Sequence, residues 1–231
     1  MYADTKIAIP IFKKKKEDIL RLASDYIDKG VDILELRIDA MNNPKPNEVK
    51  SIIENIGFPT IATNRIKTEG GHFNGSEDER IAILEKCGEV CEYVDVELAT
   101  NRKLIDSIVE TGVKTIISYH DFNKTPNIDD MLDIVKKEMK IGDIAKIAVM
   151  PQSLEDTINI LAILSRCKNT IAISMGDMGS YTRVIASKFN APITFAASDD
   201  VTAPGQIDFE TMKQVMNLDL MNTEDLFADG Y

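Results

Sequence analysis

Apolar positions along the chain follow two alternating rhythms. Short β-rich runs recur: "KIAIPI" (6–11), "VDILELRID" (31–39), "PTIATNR" (59–65) and "YVDVEL" (93–98). Four more follow: "KTIISYHD" (114–121), "AKIAVMP" (145–151), "NTIAISMG" (169–176) and "PITFAAS" (192–198). Their starts lie 21 to 34 residues apart, room for one strand, one helix and two loops. Between them lie amphipathic stretches such as 16–30, 76–91 and 153–167. Ser76 with Glu79 three residues on forms a capping-box signature, and "SLED" at 153–156 repeats that logic. Eight strand–helix units in 231 residues predict an α/β protein, a (β/α)8 TIM barrel forming one domain over 1–231. An open doubly wound sheet fits less well, since no Gly-x-Gly-x-x-Gly follows the first strand. No linker, low-complexity tract or repeat interrupts the rhythm.

The second segment does not obey simple strand patterning. Val31, Ile33, Glu35, Arg37 and Asp39 share one face of an extended chain, and Leu34, Leu36 and Ile38 share the other. One face is therefore apolar throughout, while the other starts apolar and becomes charged. In a parallel barrel the first packs on helices. The second points inward, with Ile33 in an interior layer and Glu35, Arg37 and Asp39 climbing toward the C-terminal mouth, where barrel active sites lie. A self-satisfied buried ion pair is the competing explanation, and the other segment ends bear on it.

Those ends carry chemistry. The third ends in Arg65, with Glu69-Gly70-Gly71 close behind, and the fourth places Asp95 and Glu97 in "DVEL". The fifth ends with His120 and Asp121. The sixth embeds Lys146 in "IAKIAVM". Burial and nearby cations favour the neutral amine of such a lysine, which can then add to a carbonyl as a Schiff-base nucleophile. Snorkelling, or pairing with a carboxylate, is the alternative. His120, one strand earlier, stands where a general acid/base would serve an imine, and Glu69 could orient it. His72, in "GGHFNG", has no assigned role. Arg37, Arg65 and Arg183 are expected to line the mouth, where guanidinium groups suit a substrate carboxylate or phosphate. The last segment leads into "SDDVTAPGQID", which holds Thr202 and Gln206.

Composition narrows the field. A formal net charge of -11, from 38 acidic and 27 basic residues, argues against nucleic acid as a partner. The run Lys13–Lys16 is followed at once by Glu17 and Asp18 and reads as a solvated helix start. No apolar run reaches membrane-spanning length, and "MYADTKIAIPIF" lacks the layout of a secretory leader. Three cysteines without framework spacing fit a reducing, cytoplasmic setting. Cys87 and Cys91 share a helical face and read as core residues rather than a metal pair.

Taken in order, "ELRID" (35–39), "NRIKTEGG" (64–71), "DVEL" (95–98), "SYHDF" (118–122), "KIAVMP" (146–151), "ISMGDMGSYTR" (173–183) and "APGQI" (203–207) resemble the type I 3-dehydroquinate dehydratases. The similarity runs through about residues 6–218. It implies dehydration of 3-dehydroquinate to 3-dehydroshikimate in the shikimate pathway, with no metal or organic cofactor, by a cytoplasmic homodimer. By position it implies Lys146 as the imine-forming lysine, His120 as proton donor and acceptor, and Glu69 as the carboxylate orienting His120. It further implies substrate contacts from Glu35, Arg37, Arg65, Arg183, Thr202 and Gln206. Thr202 stands where many relatives have serine, and "IPIFKK" offers no counterpart to a serine contact of some relatives. A class I aldolase of phosphorylated sugars would share the barrel and the lysine, but "SDDVTAPG" places two acids where a phosphate would be repelled. A barrel binding a small acid without turnover is the non-enzymatic alternative.

Overall fold

In the computed structural model, residues 5–198, 205 and 207–217 are described. The strands are β1 (Lys6–Ile11), β2 (Ile33–Arg37), β3 (Thr60–Thr63), β4 (Tyr93–Glu97), β5 (Lys114–Asp121), β6 (Ile144–Val149), β7 (Thr170–Ser174) and β8 (Ile193–Phe195). The helices are α1 (Lys16–Asp28), α2 (Pro46–Ile56), α3 (Glu77–Gly88), α4 (Arg102–Val109), α5 (Ile128–Glu138) and α6 (Leu154–Arg166). After them come α7 (Gly176–Gly179), α8 (Tyr181–Ile185) and α9 (Phe209–Asn217). All strand pairings are parallel, in the order β7-β6-β5-β4-β3-β2-β1-β8, so the expected eight-stranded barrel is present. Among the described residues no register pair joins β7 to β8.

Both predicted capping boxes form. Ser76 Oγ accepts from the Glu79 amide and the Glu79 carboxylate accepts from the Ser76 amide, opening α3; Ser153 and Asp156 do the same for α6. Each box satisfies amides that a helix start leaves without intrahelical partners.

Strand alternation sorts the core into an inside and an outside. Ile33, Ile61, Ile116, Ile144, Ile171 and Ile193 pack together within the barrel. Leu34, Leu36, Ile38, Val94 and Val96 instead join Ile19, Ile52, Leu84 and other helix residues outside it. Each fully buried side chain of this size contributes about 1.5–3 kcal/mol. The second segment departs from expectation at its ends. Its strand begins at Ile33, and Val31 packs outside with the helices. The strand closes at Arg37, and Asp39 sits in a 3-10 turn, Ile38–Ala40.

Candidate active site

Above the isoleucine layer the interior turns polar on one side. Strand parity that points Tyr93 inward also aims Asp95 and Glu97 inward, and the parity of Ile116 and Ile144 does the same for Ser118 and Lys146. Lys146 is 4% exposed. Its Nζ donates to Asp95 Oδ2 at 2.8 Å, lies 3.8 Å from Glu35 Oε1, and sits 4.3 Å from the centre of the Phe195 ring. Of the alternatives open for a lysine in an apolar strand, the structure adopts pairing with a carboxylate.

Asp95 is shared. Its Oδ1 accepts from Arg65 at 2.8 Å and from Ser118 Oγ at 2.7 Å. Burial pushes this carboxyl up, but the charges of Arg65 and Lys146 outweigh burial and hold it well below the usual range. Arg65 also donates to Glu97 Oε1 at 3.0 Å and to Ser118 Oγ at 2.6 Å. Glu35 accepts from Thr63 Oγ1 at 2.9 Å.

His120 stands at the top of β5 opposite Ala148 of β6. Glu69 Oε2 accepts from its main-chain amide at 3.0 Å and lies 2.9 Å from its Nδ1. The backbone after Glu69 makes this approach possible. Gly70 takes a left-handed φ of 79°, and a side chain there would strike the Phe122 ring; one at Gly71 would collide with the Arg65 carbonyl. Burial, then Arg65 and Lys146, hold the His120 imidazole well below its ordinary value, so it is neutral at pH 7. Burial pushes Glu69 up to about 7, against the pull of Arg65.

The three arginines differ. Arg37 makes a two-point contact with Asp39 at 2.9 and 2.8 Å and packs 5.3 Å from the Phe12 ring centre. Asp39 also accepts from the His72 amide at 3.1 Å, which ties the 70–75 loop to Arg37. Arg65 is saturated by Asp95, Glu97 and Ser118. Among the described residues Arg183 faces no carboxylate: it is 3% exposed, its Nε has no partner there, and NH1 donates to the Phe195 carbonyl at 3.3 Å. Burial alone lowers its guanidinium to about 10.

Lys146, His120, Glu69, Glu35, Arg37, Arg65 and Arg183 line one cavity of about 80 Å³, closed on its apolar side by Ile173, Met175 and Phe195. Thr202 and Gln206 lie outside the described residues. A wider cleft of about 460 Å³ lies between the residue 41–46 and 72–75 loops, but neither the lysine nor His120 reaches it. Sequence reasoning placed Asp95 and Glu97 at the mouth without giving either a role, and it passed over Ser118 and Phe195. The signal for the first two was present in "DVEL", whose alternation puts both acids on one face.

Fold and site together define a (β/α)8-barrel enzyme with an embedded lysine and a carboxylate-held histidine at its mouth. The family described as Type I 3-dehydroquinase matches residues 7–223. A 3-dehydroquinate dehydratase of Methanobrevibacter smithii is 63% identical over 220 residues, 95% of this chain and 98% of that protein. One from Methanothermobacter thermautotrophicus is 46% identical, covering 92% and 96% of the two chains. The crystal structure of the type I 3-dehydroquinate dehydratase of Clostridium difficile with covalently modified comenic acid superposes with a TM-score of 0.87. Its identity is 32%, over 94% of this chain and 92% of that one. The chain belongs to the type I 3-dehydroquinase family.

Proposed function

We propose that this protein dehydrates 3-dehydroquinate to 3-dehydroshikimate through an imine on Lys146. The observation that carries the chemistry is the shared cavity: a buried primary amine, a neutral imidazole and a guanidinium that meets no carboxylate among the described residues all line it. Arg183 holds the substrate carboxylate, with Glu35, Arg37, Arg65, Thr202 and Gln206 completing the contacts in this reading. Lys146 sheds its proton and adds to the ketone, and loss of water gives the protonated imine. The imine withdraws electrons from the adjacent carbon, and neutral His120 removes a proton there to give an enamine. The nitrogen lone pair re-forms the protonated imine while the enamine double-bond electrons shift outward to make the new carbon–carbon double bond, and the β-hydroxyl leaves with the proton from His120 as water. Hydrolysis frees the product and restores the amine. Glu69, bonded at Nδ1, keeps Nε2 of His120 turned to the cavity.

An aldolase of phosphorylated sugars would use the same lysine, but the family and its relatives favour the hydro-lyase. Borohydride added during turnover separates the two. Reduction should fix 3-dehydroquinate to Lys146 and inactivate the protein, while Lys146→Ala should show neither adduct nor activity. Labelling by a phosphorylated sugar alone would favour the aldolase, and labelling by neither would sink the imine. We further infer a cytoplasmic homodimer. Leu154, Ile158 and Met178, exposed at 68%, 56% and 44% on the adjoining α6 and α7, support a pairing surface. A monomeric mass by light scattering would refute it. No helix among the described residues is long and apolar enough to cross a membrane.

A further inference from the structure

Six charged side chains of alternating sign run without a gap from helix α3 to the lysine. Glu77 pairs with Arg80 at 2.7 Å, and Arg80 reaches Glu97 Oε2 at 2.7 Å. Glu97 Oε1 takes Arg65 at 3.0 Å, Arg65 holds Asp95 at 2.8 Å, and Asp95 holds Lys146 at 2.8 Å. Arg80 lies outside the catalytic cavity and is 1% exposed, yet it also bonds the Asn64 carbonyl at 3.0 Å and Thr100 Oγ1 at 2.9 Å. On the barrel side of this series, Glu35, Asp95 and Glu97 face Arg65, Arg80 and Lys146, three acids against three cations. Guanidinium groups keep their protons at any workable pH, whereas an amine can release one. A change in the balance therefore falls on the lysine.

We infer that Arg80 is a remote positioning residue for Lys146, resting on the imine reading above. By neutralising one oxygen of Glu97 it leaves Arg65 shared between Glu97 and Asp95. Asp95 is then not balanced by the lysine alone, and the proton on Nζ is easier to remove. Without Arg80 the wall carries one uncompensated negative charge, and that proton is held more tightly. The other groups facing Nζ are Glu35 of β2, His120 and Ser118 of β5, and the Phe195 ring of β8, with Arg183 and Glu69 across the same cavity. Behind β6 lies the buried Glu138 carboxyl of α5. Arg80 touches none of these.

The test is the pH dependence of borohydride trapping with 3-dehydroquinate, measured beside kcat, KM and thermal unfolding. Arg80→Met should move half-maximal trapping up by about 0.5–1 pH unit, the effect of one charge removed at this range. Glu97→Gln should move it down. Arg80→Lys keeps the charge and the Arg80→Met/Glu97→Gln double variant restores the balance, so both should track the parent protein. KM should stay within about twofold of the parent value, because Arg80 does not meet substrate. If Arg80→Lys and Arg80→Met lose stability together while every trapping profile coincides, Arg80 is an anchor for α3 and nothing more. Should Arg80→Met fail to fold, the opposite shift in Glu97→Gln decides alone. Absence of trapping in the parent protein would remove the imine reading itself, a result distinct from trapping that no variant shifts.

Discussion

The two halves of the barrel interior solve the problem of buried charge in opposite ways. Along β2 to β5, Arg65, Asp95, Glu97 and Ser118 satisfy one another at hydrogen-bond distances, and Glu35 accepts from Thr63. Along β7 and β8 the wall is apolar, with Ile173, Met175 and Phe195, and among the described residues Arg183 faces it without a counter-ion. Burial is nearly complete on both sides. What differs is partners: the crowded half pairs its charges internally, and the sparse half holds a cation with no carboxylate among the described residues. Lys146 on β6 stands at the seam, paired to the crowded half and roofed by the sparse one.

The largest effect should come from His120, the acid–base of the proposed mechanism. His120→Ala is expected to slow turnover about 10²–10⁴-fold while the imine still forms. Trapped adduct should therefore persist as kcat falls; near-normal kcat would remove His120 from the chemistry. On the crowded wall, Asp95→Ala strands Arg65 and Lys146 in a buried site and should cost about 3–5 kcal/mol in urea unfolding. On the sparse wall, Arg183→Ala removes a charge that has no carboxylate among the described residues, so folding should hold while KM rises by the equivalent of about 1.5–3 kcal/mol. Equal losses of stability in these two variants would break the comparison.

Glu138 sharpens it from behind β6. It is fully buried on α5, no side chain among the described residues pairs with its oxygens, and burial pushes it up to about 9 against a small opposing pull from the Lys146 main-chain amide. Its folded value lies above that of the unfolded chain, so between about 4.5 and 9 the folded state binds more protons, and stability falls as pH rises. Glu138→Met should stabilise the protein by about 1–3 kcal/mol at pH 8 and by little below pH 4.5. Unfolding curves at two pH values would show it, and an equal gain at both would contradict the assignment.

Much of the barrel was legible because its signals are local. Strand alternation, helix spacing and two capping boxes each need only a few consecutive residues; seven of the eight strands fall within the expected segments, and β6 begins one residue early, at Ile144. The Glu69–His120 contact was also foreseen, since each ends or follows a strand at the mouth. The sequence could not rank Arg37, Arg65 and Arg183. Their difference depends on carboxylates as much as 32 residues away, brought in by the curl of the sheet. Nothing in the local sequence marks Arg80, in a charged helix, or Glu138, in "VKKEMK", as buried. Only the depth of packing separates them from their neighbours.

The uneven closure of the barrel has a consequence for its breathing. β8 is three residues long and its register pairs all run to β1, whereas β5 is bonded along both edges, to β4 and β6. An amide exchanges with solvent deuterium only when its bond opens, and a strand held on one side opens more readily. Protection in native-state exchange should therefore be highest at Ile116 and Ile117 and decline toward Thr194 and Phe195. The residue roofing the lysine belongs to the least protected strand.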